Sequence, residues 1–212
     1  MGDFVKEHQE VVGQQAVKAL QKNGFIAEYF STKAEARERL LALIPDGVSI
    51  GFGGSTTVVQ MDVADVLKEK GCTLYNHAGI KDPEESKRIK RQEIISDIML
   101  TGVNAITKDG RLYSVDAVGN RVAGMIFGPG EVILVAGVNK IVPDLAAAEE
   151  RVYHIAGPIN NIRIGTENPC TKTGECMDCS SARRICNVSV TLHRCPTTVK
   201  ITVLLVGESL GF

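Results

Sequence analysis

VSIGFGGSTTVVQMDVADVLKEKG, residues 48–71, decides the fold. VSIGF (48–52) reads as a short apolar strand, GGSTT as a loop, and the remainder as a helix that stops at Gly71. A strand that hands over to a helix through a glycine loop is half of a βαβ unit. Outward from it the same alternation recurs. FIAEYF (25–30), CTLYNH (72–77), EVILVAG (131–137), NVSVTLHR (187–194) and KITVLLVGE (200–208) read as strands. EVILVAG is nearly all apolar, as a strand covered on both faces should be. Helices are expected over 3–22, from Thr32 to about Leu43, over 84–96 and over 144–156, with a short one in GNRVAGMIFG. Thr32 followed by Glu35 has the capping-box spacing, and Asn23-Gly24 is a helix stop. VNAIT and RLYSVDA (103–107 and 111–117) flank Lys108-Asp109-Gly110, a hairpin signal that would make the sheet mixed. The expectation is an α/β fold with a mixed, mostly parallel sheet, helices on both faces, and a helical N-terminal segment over 1–24.

Composition excludes several functions. With 24 basic and 25 acidic residues, and no long basic block, nucleic acid is not an expected partner. No apolar run reaches the roughly 18 residues of a spanning helix, so no membrane span is expected. The opening MGDFVKEHQE is polar, which points to the cytoplasm and to reduced thiols.

In GFGGSTT, Gly51, Gly53 and Gly54 allow close approach of backbone to a ligand, and Ser55, Thr56 and Thr57 add hydroxyls. The loop suits an anion or phosphate, although a tight turn with a Ser/Thr cap would look the same. It is neither a Walker loop nor a full dinucleotide fingerprint. Further on, Asp116, Gly119, Asn120 and Arg121 gather at one strand end, with Asn104 one strand away. Arg121 could grip a carboxylate or phosphate, and Asp116 could act as base or nucleophile. Equally, the two could pair with each other. His77 ends a strand and could face the same edge as an acid/base. His8 and His154 read as surface or packing residues, Cys72 as core, and the charged run 81–93 as a solvated helix or a lid.

PCTKTGECMDCSSARRIC (169–186) holds Cys170, Cys176, Cys179 and Cys186. The central Cys-x2-Cys is a chelating turn, and a four-thiolate zinc or iron–sulfur site is one reading. His193 and Cys195 are substitutes for Cys170 in such a site. Reduced structural thiols and a Cys176/Cys179 redox pair are the others. The spacing matches neither a zinc ribbon nor a ferredoxin run.

GFGGSTT, TGVNAITKDG, the strand that ends in Asp116, GNRVAGMIFGP and VILVAGVNKIVPDL, in this order, resemble the LUD (lactate utilisation) domain family from about residue 5 onward. The resemblance implies one domain over 1–212, with a cysteine-rich excursion over 166–195. It implies a fold related to the sugar-phosphate isomerase and coenzyme A transferase superfamily. In that superfamily the loop matching Gly51–Thr57 commonly meets an anionic group. It further implies a component of L-lactate oxidation to pyruvate, with iron–sulfur subunits as partners. A stand-alone sugar-phosphate or CoA-thioester enzyme and a non-catalytic metal-binding accessory protein are the alternatives. A homo-oligomer is compatible with all three.

Overall fold

The computed structural model describes residues 3–212. In chain order the elements are α1 (Phe4–Lys22), β1 (Ile26–Phe30), α2 (Lys33–Leu43), β2 (Ser49–Phe52), α3 (Thr56–Gln60), α4 (Ala64–Glu69), β3 (Thr73–Tyr75) and α5 (Pro83–Ile94). There follow β4 (Ile98–Thr101), β5 (Ala105–Thr107), β6 (Leu112–Asp116), α6 (Asn120–Ile126), β7 (Glu131–Gly137), β8 (Ile141–Val142) and α7 (Leu145–Arg151). Then come a π-helical turn (Val152–Ala156), α8 (Gly157–Arg163), α9 (Cys170–Thr173), β9 (Val188–Leu192) and β10 (Lys200–Val206). The first two residues of the expected helical segment 1–24 lie outside the described residues.

Six strands form one sheet in the order β1-β10-β7-β4-β2-β3, all pairs parallel. The apolar strand 131–137 lies inside it. Val132, Leu134 and Ala136 join the core under α1, while Ile133 and Val135 join the core under α2, α3 and α4. Side chains alternate across a strand, so covering both faces demands this continuous apolar run. The α/β class and the mostly parallel pairing are therefore as the sequence implies.

The hairpin differs from expectation. β5 and β6 do not extend the main sheet; they belong to a second one, ordered β8-β5-β6-β9. The cause is the docking of the hairpin turn on α1. Asn23 Nδ2 donates to the carbonyls of Asp109 and Gly110, both at 2.8 Å. Gly110, at φ +82°, lies against the backbone of Ala19 and Leu20. Ile106, Leu112 and Leu192 then share one core with the main sheet.

Two helix expectations also change. The helix behind the glycine loop is broken into α3 and α4 at Asp62, which has φ +50°. In the other direction, helix passes through Gly157-Pro158 to Arg163. No helix among the described residues is long and apolar enough to cross a membrane. The capping box at Thr32 and Glu35 forms as the sequence implies.

Strand order reverses between β2 and β4: the chain leaves β2 for β3 on one side and returns to β4 on the other. The carboxyl ends of such strands are where open α/β sheets bind ligands. Gly51, inside β2, packs against α5. A Cβ there would meet the Glu93 carbonyl oxygen, come within 2.6 Å of Glu93 Cα and within 2.8 Å of Ser96 Oγ. Gly51→Ala is therefore expected to cost about 1–3 kcal/mol by overpacking, measured by urea denaturation.

Candidate functional site

A cavity of about 310 Å³ opens at the strand reversal. Gly53, Gly54, Ser55, Thr56 and Thr57 form one wall, and Gly102, Val103 and Asn104, which follow β4, form another. The loop is held by the Gly53 amide, which donates to Leu100 O at 2.9 Å. Gly53 must be glycine: a Cβ would lie 2.6 Å from Thr101 Oγ1 and 3.2 Å from Arg121 Cγ. Ser55 caps α3 through Val58 N at 3.3 Å. Because α3 has only five residues, its dipole is small, and side chains must supply most of the positive field.

Lys140 is the first of these. It is 4% exposed yet lines the cavity. Its Nζ donates to Thr57 Oγ1 at 2.9 Å, and the Thr57 hydroxyl reaches Leu210 O at 3.5 Å. Burial pushes the ammonium down to about 7, with Arg151 and Arg121 pushing the same way. Lys90 and Arg163 line the same cavity nearer its mouth.

Arg121 reaches the cavity with its fork largely engaged. Nε donates to Asp116 Oδ1 at 2.8 Å, and one terminal nitrogen donates to Asn104 Oδ1 at 2.8 Å and Val115 O at 2.9 Å. The other donates to Gly102 O at 3.3 Å. Asp116 is 7% exposed, and its second oxygen accepts from Val122 N at 3.0 Å. With both oxygens engaged, Asp116 is an anchor for Arg121 and for the start of α6, not a free base. The Asn104 oxygen accepts from Val115 N and from Arg121. That leaves its amide nitrogen as the donor on the cavity wall.

Beside Gly54 of the loop stands a histidine–carboxylate pair. Glu93 is fully buried. Its Oε1 lies 2.6 Å from His77 Nδ1 and accepts the His77 amide at 2.9 Å, while its Oε2 accepts from Asn120 Nδ2 at 3.3 Å. A carboxylate at Nδ1 makes that nitrogen the donor, so in the neutral ring the lone pair is on Nε2. Nε2 is on the cavity side, 3.5 Å from where a Cβ on Gly54 would lie.

Among the residues the sequence singled out, Gly53, Gly54, Ser55, Thr56, Thr57, Asn104, Asp116, Asn120 and Arg121 meet around this cavity, with His77. Gly51 and Gly119 do not line it. Gly51 serves packing, and Gly119 adopts φ +80° to open α6. Lys140, Glu93, Asn160 and Arg163 were not singled out. Lys140 does follow the apolar strand 131–137 at its carboxyl end, a usable signal. Glu93 hides in a charged run whose other acids face outward.

The four clustered cysteines are carried by α9 and the irregular segment after it, all as free thiols. Cys170 is buried; Cys176, Cys179 and Cys186 are half-buried. Cys195 lies apart, 3.4 Å from Val199 O, and Cys72 packs at Pro45. Among the described residues no three histidine, cysteine or carboxylate side chains are placed as ligands of one ion.

The LUD domain family profile matches residues 13–206. No curated sequence matches the chain. Among solved structures, a DUF162 family protein from Deinococcus radiodurans is similar, with a TM-score of 0.52 and 16% identity. The match covers 93% of this chain and 98% of that one.

Two outcomes are expected from this geometry. Asp116→Asn would strand the buried Arg121 charge and lower stability by about 3–5 kcal/mol, read by chemical denaturation. The Lys140 shift also fixes a sign. Between pH 7 and 10.5 the unfolded chain holds a proton that the folded chain has released. Stability therefore rises with pH across that window. Relative to wild type, Lys140→Met should lose this rise, as denaturation curves at several pH values would record.

Proposed function

The chain belongs to the LUD domain family, and we propose that it binds the carboxylate of a small 2-hydroxy or 2-oxo acid as a component of L-lactate oxidation to pyruvate. The observation that carries this reading is Lys140, a buried ammonium with one hydrogen-bond partner on the floor of a small cavity. An ammonium has three donors, so Lys140 keeps donors for an anion. The cavity volume is near the lower end of ordinary ligand sites. It suits a three-carbon acid and leaves most of a coenzyme A molecule outside.

Each nearby group has a part in this reading. Lys140 and the Asn104 amide hold the carboxylate. His77 Nε2 takes the hydroxyl proton, and Glu93 orients the ring and stabilises its charged form. Arg121 contributes positive potential and fixes Asn104. Oxidation of a 2-hydroxy acid also breaks the Cα–H bond, which releases a second proton and two electrons. The cavity residues are not redox groups, so the chain's own share is binding, orientation and proton removal. Iron–sulfur partner subunits are the proposed electron acceptors.

A second reading, a sugar phosphate, is favoured by the Gly53-Gly54 backbone with the Ser55 and Thr56 hydroxyls beside it. Calorimetric titration with L-lactate, pyruvate and ribose 5-phosphate separates the two. Binding of lactate or pyruvate supports the proposal; binding of the sugar phosphate alone overturns it. Lys140→Met should weaken binding roughly 10- to 100-fold, as for loss of one charge-assisted hydrogen bond. In wild type, affinity should fall as pH rises through 7, where Lys140 loses its charge, and this fall should vanish in the variant.

A further inference from the structure

Charge in the cavity lining is one-sided. Lys90, Arg121, Lys140 and Arg163 line it, and Asp116 is the one carboxylate among the lining side chains. Asp116 and Arg121 neutralise each other, with nitrogen and oxygen 2.7 Å apart. Glu93 is held by His77 and Asn120. Among the described residues no carboxylate pairs with Lys90, Lys140 or Arg163. Cations gathered in a concave site focus a positive field there.

The three unpaired cations differ in depth. Lys140 is buried, Lys90 on α5 is half-buried, and Arg163 at the end of α8 is exposed. Local sequence explains why the outer two lack partners. One turn away from Lys90 along α5 stand Ser86, Lys87 and Ile94, which are not acids, and Glu93, which is fully buried. No helical ion pair is therefore open to Lys90. Arg163 is steadied by a neutral group instead. Its Nε and one terminal nitrogen donate to Asn160 Oδ1 at 2.9 and 2.8 Å. A guanidinium has five donors, so Arg163 keeps others for an anion.

Volume points the same way. The cavity holds about 310 Å³, room for roughly ten waters at ~30 Å³ each. A three-carbon acid with its carboxylate on Lys140 displaces only part of them. It also offsets only one charge and leaves the outer cations to salt ions. Much of the other lining is apolar, at Val103, Val118, Ile164 and Ile185, which suits a carbon chain.

We propose that Lys90 and Arg163 form an outer anion subsite, so that the acid taken by the cavity carries a second anionic group, carboxylate or phosphate, at its far end. The inference rests on the proposed acid site for the inner carboxylate and extends it to dianionic acids. Lactate then fills the inner part alone. The carbon chain keeps the two anionic groups apart, which limits their mutual repulsion.

The test is calorimetric titration of the full chain, at one fixed pH and low salt, with L-lactate, L-malate and 3-phosphoglycerate. At least one dianion should bind roughly 10-fold or more tightly than lactate, as for one added charge-assisted hydrogen bond. Whether malate or phosphoglycerate gains more tells a carboxylate subsite from a phosphate one. Lys90→Met and Arg163→Met should each remove most of this advantage, and added sodium chloride should erode it. Lys87→Met, on the same helix as Lys90 but outside the cavity lining, should keep it. Lactate binding as tightly as both dianions would overturn the outer subsite and leave the acid site standing. So would an advantage that survives in both cavity variants, or one that Lys87→Met removes equally. Binding of none of the three would overturn the acid site itself, and the subsite with it.

Discussion

The buried Arg121 guanidinium is the constraint around which the cavity is arranged. Its side chain is 13% exposed, at the junction of the two sheets. A charge there is tolerable only when nearly every N–H is paired. Asp116 from β6, Asn104 from the start of β5, the Val115 carbonyl and the Gly102 carbonyl supply those partners. Each has a further duty. Asp116 also opens α6, Asn104 also accepts the Val115 amide, and the aliphatic part of Arg121 excludes any side chain from Gly53. The second sheet, the start of α6 and the glycine loop are thus fixed by one side chain's need for hydrogen bonds.

Much of this was legible residue by residue. Short-range signals translated directly: the apolar run at 131–137, the Thr32–Glu35 cap and the glycine loop after residue 52 became a central strand, a capped helix and a cavity wall. The pairing of Asp116 with Arg121 was one of two readings that sequence alone left open. What escaped depends on closure of the chain. That Glu93 faces inward is set by His77 and Asn120, residues 16 and 27 positions away. That the hairpin leaves the main sheet is set by Asn23, 86 positions from Asp109. No local period encodes such partners.

The helix expected over 144–156 runs on past Gly157-Pro158 for a physical reason. Proline in a helix removes a donor and crowds the carbonyl four residues back. Here the backbone widens into a π turn over Val152–Ala156, and the Gly157 amide bonds to Val152 O. The wider turn makes room for the ring. Gly157 is needed as well, since a Cβ there would lie 2.8 Å from that same oxygen. The helix therefore runs on and delivers Asn160 and Arg163 to the cavity mouth.

Lys140 gives the cavity a property that a permanently charged arginine in its place would lack. Its amine is half-neutral near pH 7. An anion arriving above that pH draws a proton onto the amine as it binds, because binding and protonation reinforce each other. Charge is then conserved across the event: one negative ion and one proton enter together. On the proposed function, the cavity in alkaline solution would be a receptor for the undissociated acid, taken up in two pieces.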